Sequence, residues 1–331
     1  MMRGRLAAIS FAVAVALAAA PALAADEGRG IGYAATGLVF DLPAGVSVER
    51  LEVHVSFYSV RLAYVFKSRR RLTVHFRFAL PDMPVDAGED IAALDKDSEA
   101  AGLAADTQPA NYMNLSVRVD GKPVVLGGHG RALLDGKDVT RQLLDAGVPL
   151  LSGPAGSAWR RLTPDVRTKL EASRLISIDA AAWTYQADFA WDAMLEPGET
   201  SVEISYATLA KYWSDITVDH FPEIAPDGSA TRAYCIDDAL RRAFFRKPFS
   251  YDIYTVTHLA APAGHWRGPV GHYRLVIDKG AATNLVAFCP LSAKKISPTT
   301  FEWTAVNFTQ DSPTGVLFFM DQNAASSGAR E

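Results

Sequence analysis

Strict two-residue alternation limits most tightly what this chain can fold into. In Leu51-Glu52-Val53-His54-Val55-Ser56-Phe57 the odd positions are apolar and the even ones polar. Successive side chains of an extended strand point to opposite faces, so the pattern builds a strand with one buried and one wet face. The phase then changes. Leu62, Tyr64 and Phe66 carry the next apolar face, Ser68-Arg69-Arg70-Arg71 interrupts, and Leu72, Val74, Phe76 and Phe78 resume, with Thr73, His75 and Arg77 opposite. These two runs and their polar connection predict an antiparallel hairpin. Its apolar face needs a second layer, so a sandwich is expected.

Pro81-Asp82-Met83-Pro84 ends that pattern, because proline cannot donate to a ladder. Residues 85–110 are rich in Ala and Asp and read as an irregular segment with one short helix. Leu115, Val117 and Val119 alternate again, and Asp120-Gly121 is a strong turn signal into Lys122-Pro123-Val124-Val125. Asp138 is placed to cap a short helix through Val139, Leu143 and Leu144, with Gly147 as its stop; Thr163-Pro164 opens another towards Ser173. Strand patterns return over 183–191 and at Val202, Ile204 and Tyr206. After a Pro- and Gly-containing loop at 221–231, a helix is expected from Asp237 to Arg246. Strands follow near 250–259, 270–278, 284–289, 299–305 and 315–320. The expected fold is mainly β with a few short helices, arranged as two β-sandwich-like units of antiparallel sheet. The first spans 25–210 and carries the short helical insertion; the second spans 211–322. A disordered tail of small and polar residues follows at 323–331.

The first residues constrain location. Arg3 and Arg5 supply a cationic start, residues 7–20 carry no charge, Pro21 breaks the run, and Ala22-Leu23-Ala24 offers small residues for cleavage. That order marks a secretory signal peptide over 1–24. The run is shorter than the roughly 20 apolar residues of a spanning helix, and no later run is long enough, so the mature chain is expected to lack a transmembrane span. The formal net charge of -4 argues against nucleic acid as a partner, since that role needs a basic face. Export would place the two cysteines, Cys235 and Cys289, in an oxidising space where a disulfide is expected; two free thiols or a redox pair are the alternatives. A bridge would close a loop of about 55 residues, worth at most ~4 kcal/mol by chain entropy. It would pin the lead into the helix at Asp237 onto the sheet. Neither a C-x-x-C pair nor a zinc spacing is present.

The late motifs carry a resemblance. Trp266-Arg267-Gly268-Pro269-Val270-Gly271 leads into His272-Tyr273-Arg274-Leu275-Val276-Ile277-Asp278-Lys279-Gly280. Asn284-Leu285-Val286-Ala287-Phe288-Cys289, Lys295-Ile296-Ser297-Pro298 and Asn307-Phe308 follow. Upstream stand Tyr234-Cys235-Ile236-Asp237-Asp238, Gly136-Lys137-Asp138-Val139-Thr140 and Thr36-Gly37-Leu38-Val39-Phe40. In this order the set resembles the bacterial secreted proteins of domain-of-unknown-function family 4424, over nearly the whole mature chain. The resemblance implies an exported, mostly β protein of Gram-negative bacteria, hence a periplasmic one. It brings no activity and no catalytic residues to transfer.

Candidate chemistry is sparse. Trp266 with His265 and Arg267 would make a stacking and hydrogen-bonding platform for a sugar or anionic polymer; the competing reading is an aromatic plug at the end of a sandwich. His258, His265 and His272 fall within fifteen positions, but without a convergent further ligand or a known zinc spacing no metal or cofactor is expected. Asp237-Asp238 suits a helix cap better than an acid/base pair. Arg69-Arg70-Arg71 with Lys67 reads as a solvated tip or as a grip on anionic phosphate. No G-x-S-x-G or H-E-x-x-H signature occurs. The expected role is a non-catalytic binding or envelope-associated module with an envelope component or a protein as partner. The alternative is an exported hydrolase whose site gathers distant residues such as Asp237, Asp238 or His272.

Overall fold

The computed structural model describes residues 34–35, 37–40, 43–84, 111–148, 150, 163–176, 183–212, 234–246, 251–258, 268–309 and 314–322. The expected leader, the irregular segment 85–110, the loop 221–231 and the tail 323–331 lie outside them. In chain order the elements begin with β1 (Ala34–Ala35), β2 (Leu38–Phe40), β3 (Val46–Ser56), β4 (Ser59–Ser68), β5 (Leu72–Ala79) and β6 (Met83–Pro84). Next come β7 (Ser116–Val119), β8 (Lys122–Pro123), β9 (Gly127–Leu134), β10 (Lys137–Asp138), α1 (Thr140–Asp145) and α2 (Pro164–Ala172). They are followed by β11 (Thr184–Leu195), β12 (Gly198–Ala207), β13 (Lys211–Tyr212), α3 (Asp238–Phe245) and β14 (Tyr251–His258). The last are β15 (Val270–Asp278), β16 (Leu285–Phe288), β17 (Lys294–Lys295), β18 (Thr300–Phe308) and β19 (Thr314–Asp321). The chain is mainly β, as the alternation requires. No helix among the described residues is long and apolar enough to cross a membrane.

An eight-stranded sheet runs β17-β18-β15-β3-β4-β12-β7-β8, a six-stranded sheet runs β10-β9-β11-β5-β2 with β6 against β11, and a five-stranded sheet runs β1-β14-β19-β16 with β13 against β14. Pairing is antiparallel except for β15 on β3 and β1 on β14. The predicted hairpin between β4 and β5 does not form, because the two strands belong to different sheets. The Arg69–Arg71 corner carries the chain from one layer to the other, and Phe66 and Phe76 meet with ring centroids 5.5 Å apart. Alternation decides which side chains are buried; it is silent on whether two apolar faces lie side by side or face to face. The true hairpin is β3–β4, paired from Val46↔Ser68 to Val55↔Val60, with the Ser59 amide donating to Ser56 Oγ at 3.0 Å in its turn.

One buried cluster fills the space between the eight- and six-stranded sheets and continues under the five-stranded one, from Leu38 through Phe66, Phe76 and Trp191 to Phe318. The five-stranded sheet is covered on both faces. Val316 and Phe318 join the large cluster, while Leu317 and Phe319 join a second one with Phe244 of α3 and Tyr234. The expected disulfide is present: Cys235 and Cys289, 54 residues apart in sequence with Cα atoms 5.2 Å apart, tie the lead into α3 to the end of β16. The parallel pairing of β15 with β3, from His272↔Arg50 to Asp278↔Ser56, means that the eight-stranded sheet draws strands from both sides of residue 210.

Candidate functional site

Trp266, His265 and Arg267 lie outside the described residues; the chain resumes at exposed Gly268 and Pro269, immediately before β15. His258 ends β14 in the five-stranded sheet, whereas His272 stands on β15 in the eight-stranded one, so the fold gives them no shared strand pairing. Asp237 caps α3, its Oδ1 accepting from the Leu240 amide at 2.7 Å, and Asp238 lies in the first turn, where a carboxylate favours the helix dipole. At the Arg69–Arg71 corner, Arg71 Nε approaches Glu196 Oε1 at 3.1 Å, while Arg69 and Arg70 are exposed.

The geometry that looks most like a binding surface lies elsewhere, on the outer face of the eight-stranded sheet. A groove of about 600 Å³ crosses the seam between β15 and β3. Register builds it from two rungs. One runs Thr304–Arg274–Glu52–Ala63, the other Val306–His272–Arg50–Val65. Side chains of one face stand about 5 Å apart between neighbouring strands, so each rung forms a continuous row. Ala63 and Val65 set short side chains at the β4 end of the rungs. Charged groups occupy the middle, and apolar Val65 and Val306 end the second rung. Val306 is 65% exposed.

The charges hold one another in place. Arg274 Nη1 lies 2.8 Å from Glu52 Oε1 and its Nε lies 2.6 Å from Glu302 Oε1, so a carboxylate flanks it on either side. The Glu302 carboxylate, helped by Glu52, holds the Arg274 guanidinium above its ordinary range. Arg50 Nη2 pairs with Glu199 Oε2 at 2.8 Å. Pairs this exposed contribute at most about 1 kcal/mol each, so they orient the groove more than they stabilise the fold. His272 is exposed beside Arg50.

A smaller cavity of about 150 Å³ sits beside the disulfide, lined by Cys235, Asp237, Leu240, Phe288, Leu291 and Phe301. It shares no lining residue with the groove, so Asp237 and His272 belong to separate hollows. Lys279 is buried and its Nζ donates to the carbonyls of Ala282 and Asn284. Burial pushes its ammonium below the ordinary lysine range, and its bonds close the turn after β15.

Sequence reasoning missed the groove, although a signal was there. Leu62 to Phe66 is apolar without a break, so Ala63 and Val65 occupy positions where simple alternation calls for polar side chains. A comparison with curated proteins found no match. Among solved structures, one named as a "putative nutrient binding protein" from Legionella pneumophila subsp. pneumophila str. Philadelphia 1 is similar to this chain. Its TM-score is 0.43 at 12% identity, over 88% of this chain and 72% of that one. The family described as Domain of unknown function (DUF4424) matches residues 26–317, and the chain belongs to that family.

Proposed function

We propose that the protein is an exported, non-catalytic binding module of the periplasm whose ligand lies in the groove over the β3–β15 seam. The observation that carries this reading is the pair of rungs that set small and apolar side chains at the groove's ends and fixed charges at its centre. Binding sites combine such apolar surface with a few oriented polar groups. Two features favour a non-catalytic role. The Asp237 carboxylate is engaged as a helix cap, and the arginines of the groove are neutralised by glutamates. Export is supported by the leader pattern and by the disulfide, which suits an oxidising compartment.

Native mass spectrometry of protein isolated from whole cells tests both parts. The expected product lacks residues 1–24 and carries bound material that Ala63→Trp, which fills the β4 end of the groove, displaces without lowering the melting temperature. An intact leader on the isolated protein contradicts export. Equal occupancy in the Ala63→Trp variant contradicts the groove.

A further inference from the structure

The two ends of the eight-stranded sheet are treated differently. At one end β8 is a Lys122–Pro123 dipeptide, a combination that blocks strand addition. At the other, β17 covers only Phe301 and Glu302 of β18. Beyond it, Trp303-Thr304-Ala305-Val306 has no strand on its outer side among the described residues, and the segment carries no charge. The Ile296 amide donates to the Thr300 carbonyl, so Thr300 faces outward. Backbone groups alternate sides along an antiparallel strand, which turns the N–H and C=O of Thr304 and Val306 outward too. The inner face at this edge joins buried Tyr273 to half-buried Trp303 and Phe308, with Tyr273 and Phe308 centroids 4.1 Å apart and Trp303 and Phe308 centroids 5.4 Å apart.

We infer that β18 receives an extended peptide segment of a partner as an added antiparallel strand, with the segment's C-terminal carboxylate beside Lys294. This deepens, and depends on, the reading of the groove as the binding surface, because Thr304 and Val306 belong to both. The direction follows from β17. That strand is itself antiparallel to β18 and begins at Lys294 opposite Glu302. A segment paired antiparallel to Thr304–Val306 therefore lies in line with β17 and ends where Lys294 begins. Lys294 is exposed and Glu302 is already held by Arg274, which leaves the ammonium to meet a carboxylate. Main-chain bonds supply the attachment in this mode, and alternate side chains supply selectivity. Here one set of partner side chains covers Trp303 and Phe308, and the other meets Val306.

The probe is an acetylated octapeptide of alternating threonine and valine with a free carboxylate, labelled at its N-terminal end and titrated against the full chain by fluorescence anisotropy. Three companions are used: the amidated peptide, a version N-methylated at alternate residues, and the protein variants Thr304→Pro, Lys294→Glu and Ala63→Trp. The free acid is expected to bind, the amide at least three-fold more weakly, and the N-methylated peptide not measurably. Thr304→Pro should weaken binding ten-fold or more, and Lys294→Glu should erase the preference for the free acid. The N-methylated peptide reads the backbone bonds without touching the protein's stability. No binding of the free acid, or equal binding of its N-methylated form, overturns the inference. So does a dimer in sedimentation that Thr304→Pro dissolves, which would give the edge to a second copy. If Ala63→Trp loses the bound mass seen by native mass spectrometry while Thr304→Pro keeps it, the groove stands and strand addition falls.

Discussion

Three tyrosines, Tyr64, Tyr206 and Tyr273, are buried among the apolar side chains between the layers. Burial pushes each hydroxyl above the ordinary range; the neighbouring Tyr206 and Tyr273 add to the effect on Tyr64. The folded state therefore keeps three protons that the unfolded chain gives up above pH ~10, so stability falls as pH rises past that point. Each tyrosine contributes a slope of about 1.4 kcal/mol per pH unit while its native form stays protonated. Among the described residues the Tyr206 hydroxyl also has no hydrogen-bond partner. Tyr206→Phe should therefore leave stability at pH 7 unchanged or raise it by up to ~1 kcal/mol, since an unsatisfied buried group is lost. The same change should remove one share of the alkaline slope. Guanidinium melts of both proteins at pH 7 and pH 10.5 check this, and a loss of more than ~1 kcal/mol at pH 7 would show that the hydroxyl has an unseen partner. The sequence marks all three tyrosines as inward by their place in the alternation. It does not bring them together, because that depends on which strands become neighbours.

At the scale of elements, the seam between β3 and β15 depends on a bulge. The β3–β4 register slips between Val48 and Arg50, so Glu49 stands out of the ladder. Gly271 lies against it: a Cβ there would sit 2.8 Å from the Glu49 carbonyl oxygen. Gly271→Ala must push backbone against backbone, which no rotamer change relieves, and should cost about 1–3 kcal/mol. Thermal unfolding measures the cost, and hydrogen exchange should place the loosening at residues 46–56 and 270–278. A neutral substitution would mean that the bulge gives way freely. Local chemistry of this kind was legible where it acts within a few residues. Asp120-Gly121 forms the predicted turn, with φ of +46° and +74° and Val119 paired to Lys122. Proline opens α2 at Pro164 as its position suggested. The β4–β5 connection departs from the expected hairpin because hairpins and layer crossovers share one alternating pattern. The Glu196–Pro197 corner between β11 and β12 makes a second such crossover, also from sheet to sheet. The groove was hidden for a different reason: its rungs join residues more than two hundred positions apart.

At the scale of the molecule, the question is whether the chain folds in one piece. Sequence spacing suggested separate units at 25–210 and 211–322, since length and turn signals alone divide a chain of this size. The structure sets three demands on the later segment. β15 needs β3 on one side, where Tyr273↔Leu51 through Asp278↔Ser56 run as an unbroken parallel ladder. Tyr273, Leu275 and Ile277 of β15 join the same buried cluster as Val53, Leu62 and Ile204. Phe318 of the five-stranded sheet touches Phe57 in the β3–β4 turn, with centroids 6.0 Å apart. Cutting at residue 210 would expose the β15 edge and strip one face of the five-stranded sheet, leaving the α3 cluster and the disulfide as its remaining core. Parallel strands seldom survive with a face uncovered. Residues 211–331 produced alone under oxidising conditions should therefore give no cooperative melt, although the Cys235–Cys289 bridge can still close. Mixing them with residues 25–210 should restore one transition and the protection of residues 270–278 from exchange. A sharp, independent melt of the isolated later segment would mean that the shared sheet joins two bodies, each able to fold without the other, and that the groove is an interface between them.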